Sequence, residues 1–190
     1  MFESFNRGIS LEKISDFTGS QNITANNKKY LRYFWEINSI NSNKWVPYAK
    51  GGNYRKYFGN IDLVVDWSDE ARCFYVNNPT SNLLDKQYWF KEGITYTAIS
   101  SKGTGFRYLP KGCIFDKGGP SLVDVCYLDY CLGFLNCNLT GYFLNLLNPT
   151  LNIQVRDVKN LPIIYDTDKE KYIGIYVLYN MRINKYFLIF

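Results

Sequence analysis

Short apolar runs rich in aromatic or β-branched residues occur in the first two thirds of this 190-residue chain, with apolar and polar positions alternating over 93–100, and polar stretches with Gly, Asn and Pro separate the runs. Such runs are typical of strands joined by turns when they are rich in β-branched and aromatic residues. The runs that predict strands are 30–37, 61–67, 93–100, 107–109 and 113–115. The polar connection at 77–90 is expected to hold a short helix, so this part of the chain is predicted to be strand-rich.

The spacing of apolar residues becomes helical over 121–147, where they recur at intervals of three and four. This pattern predicts helical structure that divides into two helices at Gly133 or Gly141. Asn148-Pro149 ends the pattern, because the residue before a proline avoids the helical conformation. Residues 152–155 are expected to form a short strand. The order of these elements predicts an α+β fold, with strands first and helices grouped near 121–147.

Composition removes several classes of chemistry. The chain has no histidine, which excludes Ser-His-Asp and Cys-His catalysis and any histidine-ligated metal site. Its five cysteines form no Cys-x-x-Cys pair, which favours reduced, buried thiols. No apolar run reaches membrane-spanning length, and the start lacks the pattern of a secretory signal, so we expect a cytoplasmic protein with no membrane association. The net charge of +5 favours a polyanionic partner.

The segment 44–60 is the strongest candidate for binding chemistry. It carries Lys44, Lys50, Arg55 and Lys56, has no acidic residue, and interleaves these cations with aromatic side chains. Basic side chains neutralise phosphates, and a Gly-Gly pair at positions 51 and 52 lets backbone N–H groups approach a phosphate closely. The alternative is a hairpin with solvated lysines and a packed aromatic face.

A second basic segment, 100–112, contains Lys102, Arg107 and Lys111 among glycines. Its glycine spacing matches neither the P-loop nor the dinucleotide-binding motif, so it is interpreted as a basic loop or as an ordinary surface loop. No pair of carboxylates suited to acid–base catalysis stands out, because Asp69 and Glu70 are expected to flank a turn. We therefore predict no catalytic residue and no metal site in this chain.

Several blocks in order resemble the C-terminal target-recognition region of adenine-specific DNA methyltransferases of the PglX type, found in BREX phage-defence systems and related to type IIG restriction–modification enzymes. The first block is Trp45-x-Pro47-Tyr48-x-Lys50-Gly51-Gly52-x-x-Arg55-Lys56-x-x-Gly59-Asn60. The next blocks are Phe90-Lys91-Glu92-Gly93-Ile94-Thr95, Phe106-Arg107-Tyr108-x-Pro110-Lys111-Gly112 and Phe115-Asp116-x-Gly118-Gly119. Leu132-Gly133-Phe134-Leu135-Asn136 and Leu147-Asn148-Pro149-Thr150 through Leu161-Pro162-Ile163 continue the series, so the resemblance covers roughly 8–165.

The resemblance implies a DNA target-recognition domain over 1–165, taken from a larger site-specific adenine-N6 methyltransferase, with double-stranded DNA and the separate catalytic domain as partners. In such a domain we expect phosphate contacts from Lys50, Arg55, Lys56 and Lys102, aided by Gly51 and Gly52. Polar loop residues are then candidates for base-edge contacts: Asn26, Asn27, Asn53, Thr95 and Arg107.

The catalytic half implied by the resemblance is not found in this sequence. Enzymes that methylate adenine hold the flipped base with an Asn-Pro-Pro-aromatic motif. The nearest strings here are Asn78-Pro79-Thr80 and Asn148-Pro149-Thr150, and no glycine-rich loop for S-adenosylmethionine follows a strand. No cofactor is therefore expected in this chain, and S-adenosylmethionine is expected in the parent enzyme. Residues 166–190 depart from the family pattern and are expected to be an atypical or truncated tail.

Two other functions remain open at this point. A specificity subunit of a type I restriction system also binds DNA, but it would show two recognition halves joined by long helices. A non-functional interaction fragment would carry the leucine-rich helices for a lost partner.

Overall fold

The computed structural model describes residues 2–18, 21–40 and 44–186, and the last four positions of the tail lie outside the described residues. The strands are β1 (Ile9–Ser10), β2 (Asp16–Phe17), β3 (Leu31–Tyr33), β4 (Trp45–Ala49), β5 (Leu63–Asp66), β6 (Gly93–Tyr96), β7 (Phe106–Leu109), β8 (Ile114–Phe115), β9 (Ser121–Val123) and β10 (Pro162–Ile163). The helices are α1 (Phe2–Arg7), α2 (Asn27–Tyr30), α3 (Asp69–Asn77), α4 (Leu128–Leu135), α5 (Asn138–Leu147), α6 (Val155–Lys159) and α7 (Thr167–Tyr186). The predicted α+β class is confirmed.

Two four-stranded sheets carry most of the strands. Sheet I has the order β3-β5-β4-β8, with β4 and β5 antiparallel and β8 parallel to β4. Sheet II has the order β2-β9-β6-β7 and is antiparallel, while β1 and β10 form a separate pair. The basic segment predicted from the sequence is thus strand β4 followed by a long connection, residues 50–62, that leads into β5.

Sheet II is the middle layer of the molecule, because each of its faces is covered. Ile94 and Phe106 belong to a core shared with α4, α5 and α7, whereas Leu109 and Val123 belong to the core shared with sheet I. All four residues of β6 are consequently buried. The residues of β6 therefore reach one of two cores and do not reach solvent, whereas Tyr108 of β7 is partly exposed.

The helical prediction for 121–147 is confirmed from Leu128 onward, but its details differ. The break between α4 and α5 falls at Asn136, not at a glycine. The Asn136 side chain explains the break, since its amide accepts a hydrogen bond from the N–H of Phe106 at 3.1 Å and donates one to the carbonyl of Phe106 at 2.9 Å. Residues 121–123, predicted to be helical, form strand β9 because β2 and β6 flank them.

Two further segments differ from the sequence prediction. Asp69 and Glu70 do not flank a turn but form the first turn of α3, where acidic side chains favour the positive end of the helix dipole. Ser68 caps this helix by accepting the N–H of Ala71 at 3.4 Å. The strand expected at 152–155 is limited to an isolated bridge at Asn152, and helix α6 begins at Val155.

The tail expected to be atypical forms a 20-residue helix, α7, that packs along α4. Val177 is fully buried at this contact, and Ile173 and Met181 pack beside it. Gly133 allows the close approach, because a Cβ at this position would lie 2.7 Å from the Ile173 side chain. The described part of the tail is therefore an integral part of the helical layer.

Candidate nucleic-acid interface

The connection between β4 and β5 begins with a contact that fixes its direction. A Cβ at Gly51 would lie 2.2 Å from the carbonyl oxygen of Gly118, so only glycine lets these two backbones meet. Beside this contact, Lys50 Nζ lies 3.7 Å from Asp116 Oδ2. Burial raises the pKa of Asp116, although Lys50 and the backbone N–H groups of Gly118 and Gly119 act in the opposite direction. The sequence-predicted residues Lys50 and Gly51 thus anchor the connection to the body of the protein.

The next part of the connection presents its side chains outward. Gly52 and Asn53 are exposed, and the Asn60 amide donates to the Asn53 carbonyl at 2.9 Å, which closes the loop on itself. Lys56 Nζ donates to the carbonyl of Asn136 at 2.7 Å and thereby ties the loop to the end of α4. Within the described residues, the guanidinium of Arg55 forms neither a hydrogen bond nor an ion pair.

The β6–β7 connection approaches this loop from the other side. Gly52 N and Thr97 Oγ1 are 3.4 Å apart, and a Cβ at Gly105 would meet the carbonyl oxygen of Arg55 at 2.1 Å. Between the two connections lies a depression of about 800 Å³, which we call the basic cleft. Its lining residues are Gly52, Asn53, Tyr54, Arg55, Lys56, Ile99, Ser100, Ser101, Lys102 and Asn184.

The basic cleft brings together the two basic segments that were separate candidates in the sequence. Arg55, Lys56 and Lys102 supply three cations, and no acidic side chain belongs to the described lining. Lys102 is exposed, and its ammonium group has no partner among the described residues. The cleft can therefore hold an anionic group with two uncompensated cations at its rim.

Thr95 and Arg107, expected to contact base edges, lie inside the protein. Each is 1% exposed, because β6 and β7 are covered on both faces. The Thr95 hydroxyl already donates to the carbonyls of Gly119 and Pro120, at 3.2 Å each. Neither side chain is available at the surface for a base contact, so this expectation is corrected.

Asn26 and Asn27 are exposed but lie away from the basic cleft. Asn26 Oδ1 accepts the N–H of Lys29 at 3.1 Å and caps α2, while Asn27 Oδ1 accepts the Thr24 hydroxyl at 2.6 Å. Both side chains thus have local structural partners. Asn53 is the expected base-contact residue that the structure places in the cleft.

Sequence reasoning missed the contribution of α7 to the cleft. Asn184 lines it, yet this residue is more than 80 positions from the other lining residues and lies in a segment expected to be atypical. No local pattern in the sequence signals this contact. The exposed aromatic ring of Tyr54 was noted only as part of the aromatic interleaving, although it forms part of the wall.

A larger depression of about 1030 Å³ lies between sheet II and helices α4 and α7, and we call it the mixed-charge cleft. Its charged lining consists of Lys91, Lys111, Lys171, Glu92, Asp124, Asp129 and Glu170. Lys91 pairs with Asp124, and the Tyr108 hydroxyl donates to Glu92. Burial raises the pKa of Asp129, and the nearby Glu92 adds to this shift. Four acidic side chains thus offset three cations here, in contrast to the basic cleft.

Over the described ranges, no helix is both long and apolar enough to cross a membrane. The same residues contain no group of three or more side chains that could ligate a metal ion.

No protein-family profile matches the chain. It is 35% identical over 160 residues to the adenine-specific methyltransferase PglX of Lacticaseibacillus casei (strain Zhang), an alignment that covers 74% of this chain and 13% of the relative. It is also 35% identical over 153 residues to the adenine-specific methyltransferase BrxX of Escherichia coli O9:H4 (strain HS), covering 74% of this chain and 12% of the relative. The chain thus spans only about an eighth of either relative, and it is similar to one region of the PglX-type adenine-specific methyltransferases.

Proposed function

We propose that this chain recognises the DNA target for a PglX-type adenine-N6 methyltransferase, and that the catalytic, S-adenosylmethionine-binding part of the enzyme is separate from the residues of this chain. The observation that carries the proposal is the basic cleft, where two distant basic segments meet without any acidic lining residue in the described structure. The similarity to PglX and BrxX supplies the methyltransferase context.

The cleft suits a DNA duplex because it offers cations for the phosphates and an amide for a base edge. Arg55 and Lys102 lack internal partners and are available to neutralise phosphates, whereas Lys56 also holds the loop in place. Phosphate contacts fix the register of a protein on DNA but carry no sequence information. The exposed amide of Asn53 matches the donor and acceptor edge of adenine.

The structure at the two Asn-Pro-Thr sequences supports the proposal that this chain does not transfer methyl groups by itself. Asn78 Oδ1 accepts the N–H of Thr80 at 2.9 Å, and Asn148 Oδ1 accepts the N–H of Thr150 at 3.1 Å. Each asparagine therefore stabilises its own turn and is not presented to a base. Incubation with labelled S-adenosylmethionine and mixed-sequence DNA should leave the DNA unlabelled, and clear incorporation would contradict the proposal.

Outward-facing apolar side chains offer a contact surface for the proposed catalytic part. On α7, Tyr172, Ile175 and Tyr179 lie one helical turn apart and are 58–75% exposed. On α5, Leu139 and Leu146 are about half exposed, whereas Phe143 turns into the core. A chain with this surface uncovered should self-associate and bind an apolar dye. Sedimentation as a dye-free monomer at high concentration would remove this part of the proposal.

The central experiment is a titration of a short DNA duplex by fluorescence anisotropy at several salt concentrations. Three phosphate contacts predict a slope of about −3 for log affinity against log salt. Arg55→Ala combined with Lys102→Ala should reduce the magnitude of that slope by about 2. Releasing 0.9 of a counterion into ~0.1 M salt is worth roughly eightfold, so the double variant should bind roughly 60-fold more weakly.

The matched control is Lys91→Ala combined with Lys171→Ala, which removes the same charge from the mixed-charge cleft. Its affinity and slope should stay close to those of the parent protein. If both double variants weaken binding equally, net charge and not the basic cleft determines the interaction. If neither changes it, the basic loop is a solvated hairpin and the proposed DNA contact is wrong.

A further inference from the structure

The side chain of Arg107 lies in the interior with part of its hydrogen-bonding capacity unused. One terminal nitrogen, Nη1, donates to the carbonyl of Gly105 at 3.1 Å. Nε and Nη2 are buried and have no hydrogen-bond partner. The residue opposite it on β6 is Thr95, whose hydroxyl donates to other carbonyls. Buried N–H groups are almost always paired in folded proteins, so these unpartnered nitrogens call for an explanation.

The charge of Arg107 is also uncompensated. Burial, and then the nearby cation Arg55, lower the pKa of Arg107 to about 10. Neither arginine forms an ion pair within the residues that the structure describes. A buried charge is strongly unfavourable unless it is paired, and a second cation beside it increases the cost. The charge distribution at this place therefore lacks a negative group.

Backbone contacts connect Arg107 to the basic cleft. The N–H of Tyr57 donates to the carbonyl of Phe106 at 2.8 Å, and the N–H of Tyr108 donates to the carbonyl of Tyr57 at 2.9 Å. The loop that carries Arg55 and Lys56 thus runs as an extra extended segment beside β7 at Arg107. Arg107 therefore belongs to the strand against which the wall of the cleft is built.

We propose that the basic cleft binds an oxyanion of the phosphate class, whose charge compensates Arg55 and the buried Arg107. Arginine suits this task because its planar guanidinium matches the oxygens of a phosphate, and Lys102 adds a third cation at the rim. Arg107 acts from beneath the cleft as a positioning residue and not as a surface contact. The inference rests on the proposed function in placing the ligand at the same cleft, and it adds the chemical class and the role of Arg107. Free inorganic phosphate and the DNA backbone are two sources of this group.

The first arm of the test uses inorganic phosphate alone. Thermal unfolding of the full chain is measured in phosphate and in chloride at equal ionic strength and pH. Phosphate should raise the Tm of the parent protein by about 2–4 °C, because a ligand that binds only the folded state stabilises it. Arg107→Met should raise the Tm in chloride, since it removes an unpaired buried charge at similar volume, and should abolish the response to phosphate.

Two further variants serve as a control and as a second test of this inference. Arg182→Met removes an exposed arginine of α7 that does not line the cleft, and it should keep the full response to phosphate. Arg55→Gln changes a half-exposed side chain, so it should fold even if Arg107→Met does not. It should raise the Tm in chloride and halve the phosphate response or reduce it further. A lower Tm in chloride together with an intact phosphate response, in Arg107→Met or in Arg55→Gln, would overturn the inference.

The second arm replaces phosphate by a short DNA duplex and separates this inference from the proposed function. If phosphate stabilises the protein through Arg107 but the duplex does not bind, the anion site stands and DNA recognition fails. If the duplex binds and phosphate has no effect at matched ionic strength, DNA recognition stands and the anion site is wrong. A duplex that protects the parent protein but not Arg107→Met supports both.

Discussion

The basic cleft and the mixed-charge cleft are built from different kinds of segment. Loops 50–62 and 97–105 form most of the basic cleft, and packed helices and strand ends form the mixed-charge cleft. The mixed-charge cleft is the larger, at about 1030 Å³ against about 800 Å³. Its cations are balanced by four carboxylates, whereas the described lining of the basic cleft has none. Charge balance, and not volume, therefore distinguishes the surface suited to a polyanion.

The same contrast extends below the two surfaces. Beneath the basic cleft, Arg107 is a buried cation without a counterion. Beside the mixed-charge cleft, Tyr108 donates its hydroxyl to Glu92, and burial followed by this hydrogen bond raises the pKa of Tyr108. The buried group near the basic cleft, Arg107, thus carries an unpaired charge, whereas the Tyr108 hydroxyl at the mixed-charge cleft has a hydrogen-bond partner. The contributions of Arg107 and Tyr108 to the stability of the fold should therefore change in opposite directions as the pH rises.

The largest expected effect is a loss of stability at alkaline pH. Burial raises the pKa values of Tyr48, Tyr75 and Tyr96 well above the ordinary value of 10. The neutral form of each is favoured in the fold, so its stabilisation is complete below pH 10 and is lost as pH rises further. Each such tyrosine removes roughly 1.4 kcal/mol for each pH unit above 10. Urea unfolding from pH 8 to 11 measures the decline.

Two variants test the opposite signs at the two clefts. Tyr108→Phe removes a group with a raised pKa and should make the alkaline decline shallower. Arg107 has a lowered pKa, so its destabilising charge is present in the fold below pH 10 and is progressively lost as the pH rises above 10. Arg107→Met removes that relief and should make the decline steeper. If both variants change the steepness of the alkaline decline in the same direction, the two clefts do not differ in the sign of their pH dependence.

A smaller effect is expected when the packing between α4 and α7, the two helices beside the mixed-charge cleft, is disturbed. Gly133→Leu places a side chain against Ile173 and Val177 of α7, where even a Cβ lies at 2.7 and 3.2 Å. Overpacking of this kind costs about 1–3 kcal/mol. Gly141→Ala is the matched control, because no atom lies within 4 Å of a Cβ there and alanine favours the helix by about 0.5–1 kcal/mol. Denaturant unfolding measures both changes.

This pair also tests whether the clefts are independent. The folded fraction of Gly133→Leu should bind DNA almost as well as the parent protein, because Arg55 and Lys102 of the basic cleft lie on loops and not on α7. A large loss of DNA affinity would instead show that the position of α7 controls the basic cleft.

Much of the fold followed from local patterns in the sequence. The β-branched residues of 61–67 identified β5, and helical spacing of apolar residues identified α4 and α5. Strand β9 was hidden inside the helical pattern, since its two neighbours in sheet II are far away in the sequence. The break at Asn136 was equally invisible, as it depends on hydrogen bonds to β7.

In the candidate site, too, local sequence patterns predicted some features and long-range packing determined the others. Arg55 and Lys102 were recognisable as cations in glycine-rich segments, and the structure places both in one cleft. The burial of Thr95 and Arg107 could not be predicted, because it follows from the position of sheet II between two other layers. A polar residue on a strand is usually assigned to a solvent-facing side, and a middle sheet has no such side.

The smallest expected effect is a difference in how bound DNA protects cysteine thiols near the two clefts from chemical modification. Burial raises the pKa of the Cys113 and Cys131 thiols to about 12, so at pH 8 their reactive thiolate is roughly a thousandfold rarer than at an unshifted thiol. The exposed thiols of Cys126 and Cys137 should therefore react with a maleimide much earlier.

These two exposed thiols report on different surfaces. Cys137 follows Asn136, whose carbonyl accepts Lys56 of the basic cleft, and Cys126 precedes Tyr127, which lines the mixed-charge cleft. A bound duplex should slow the modification of Cys137 severalfold and leave Cys126 unchanged, because phosphate contacts at Arg55 and Lys56 bring DNA over the loop beside Cys137. Quenched labelling read by peptide mass spectrometry gives both rates in one sample, and Arg55→Ala with Lys102→Ala should abolish the difference. Protection of Cys126 in place of Cys137 would locate the DNA at the mixed-charge cleft and reverse the assignment of the two surfaces.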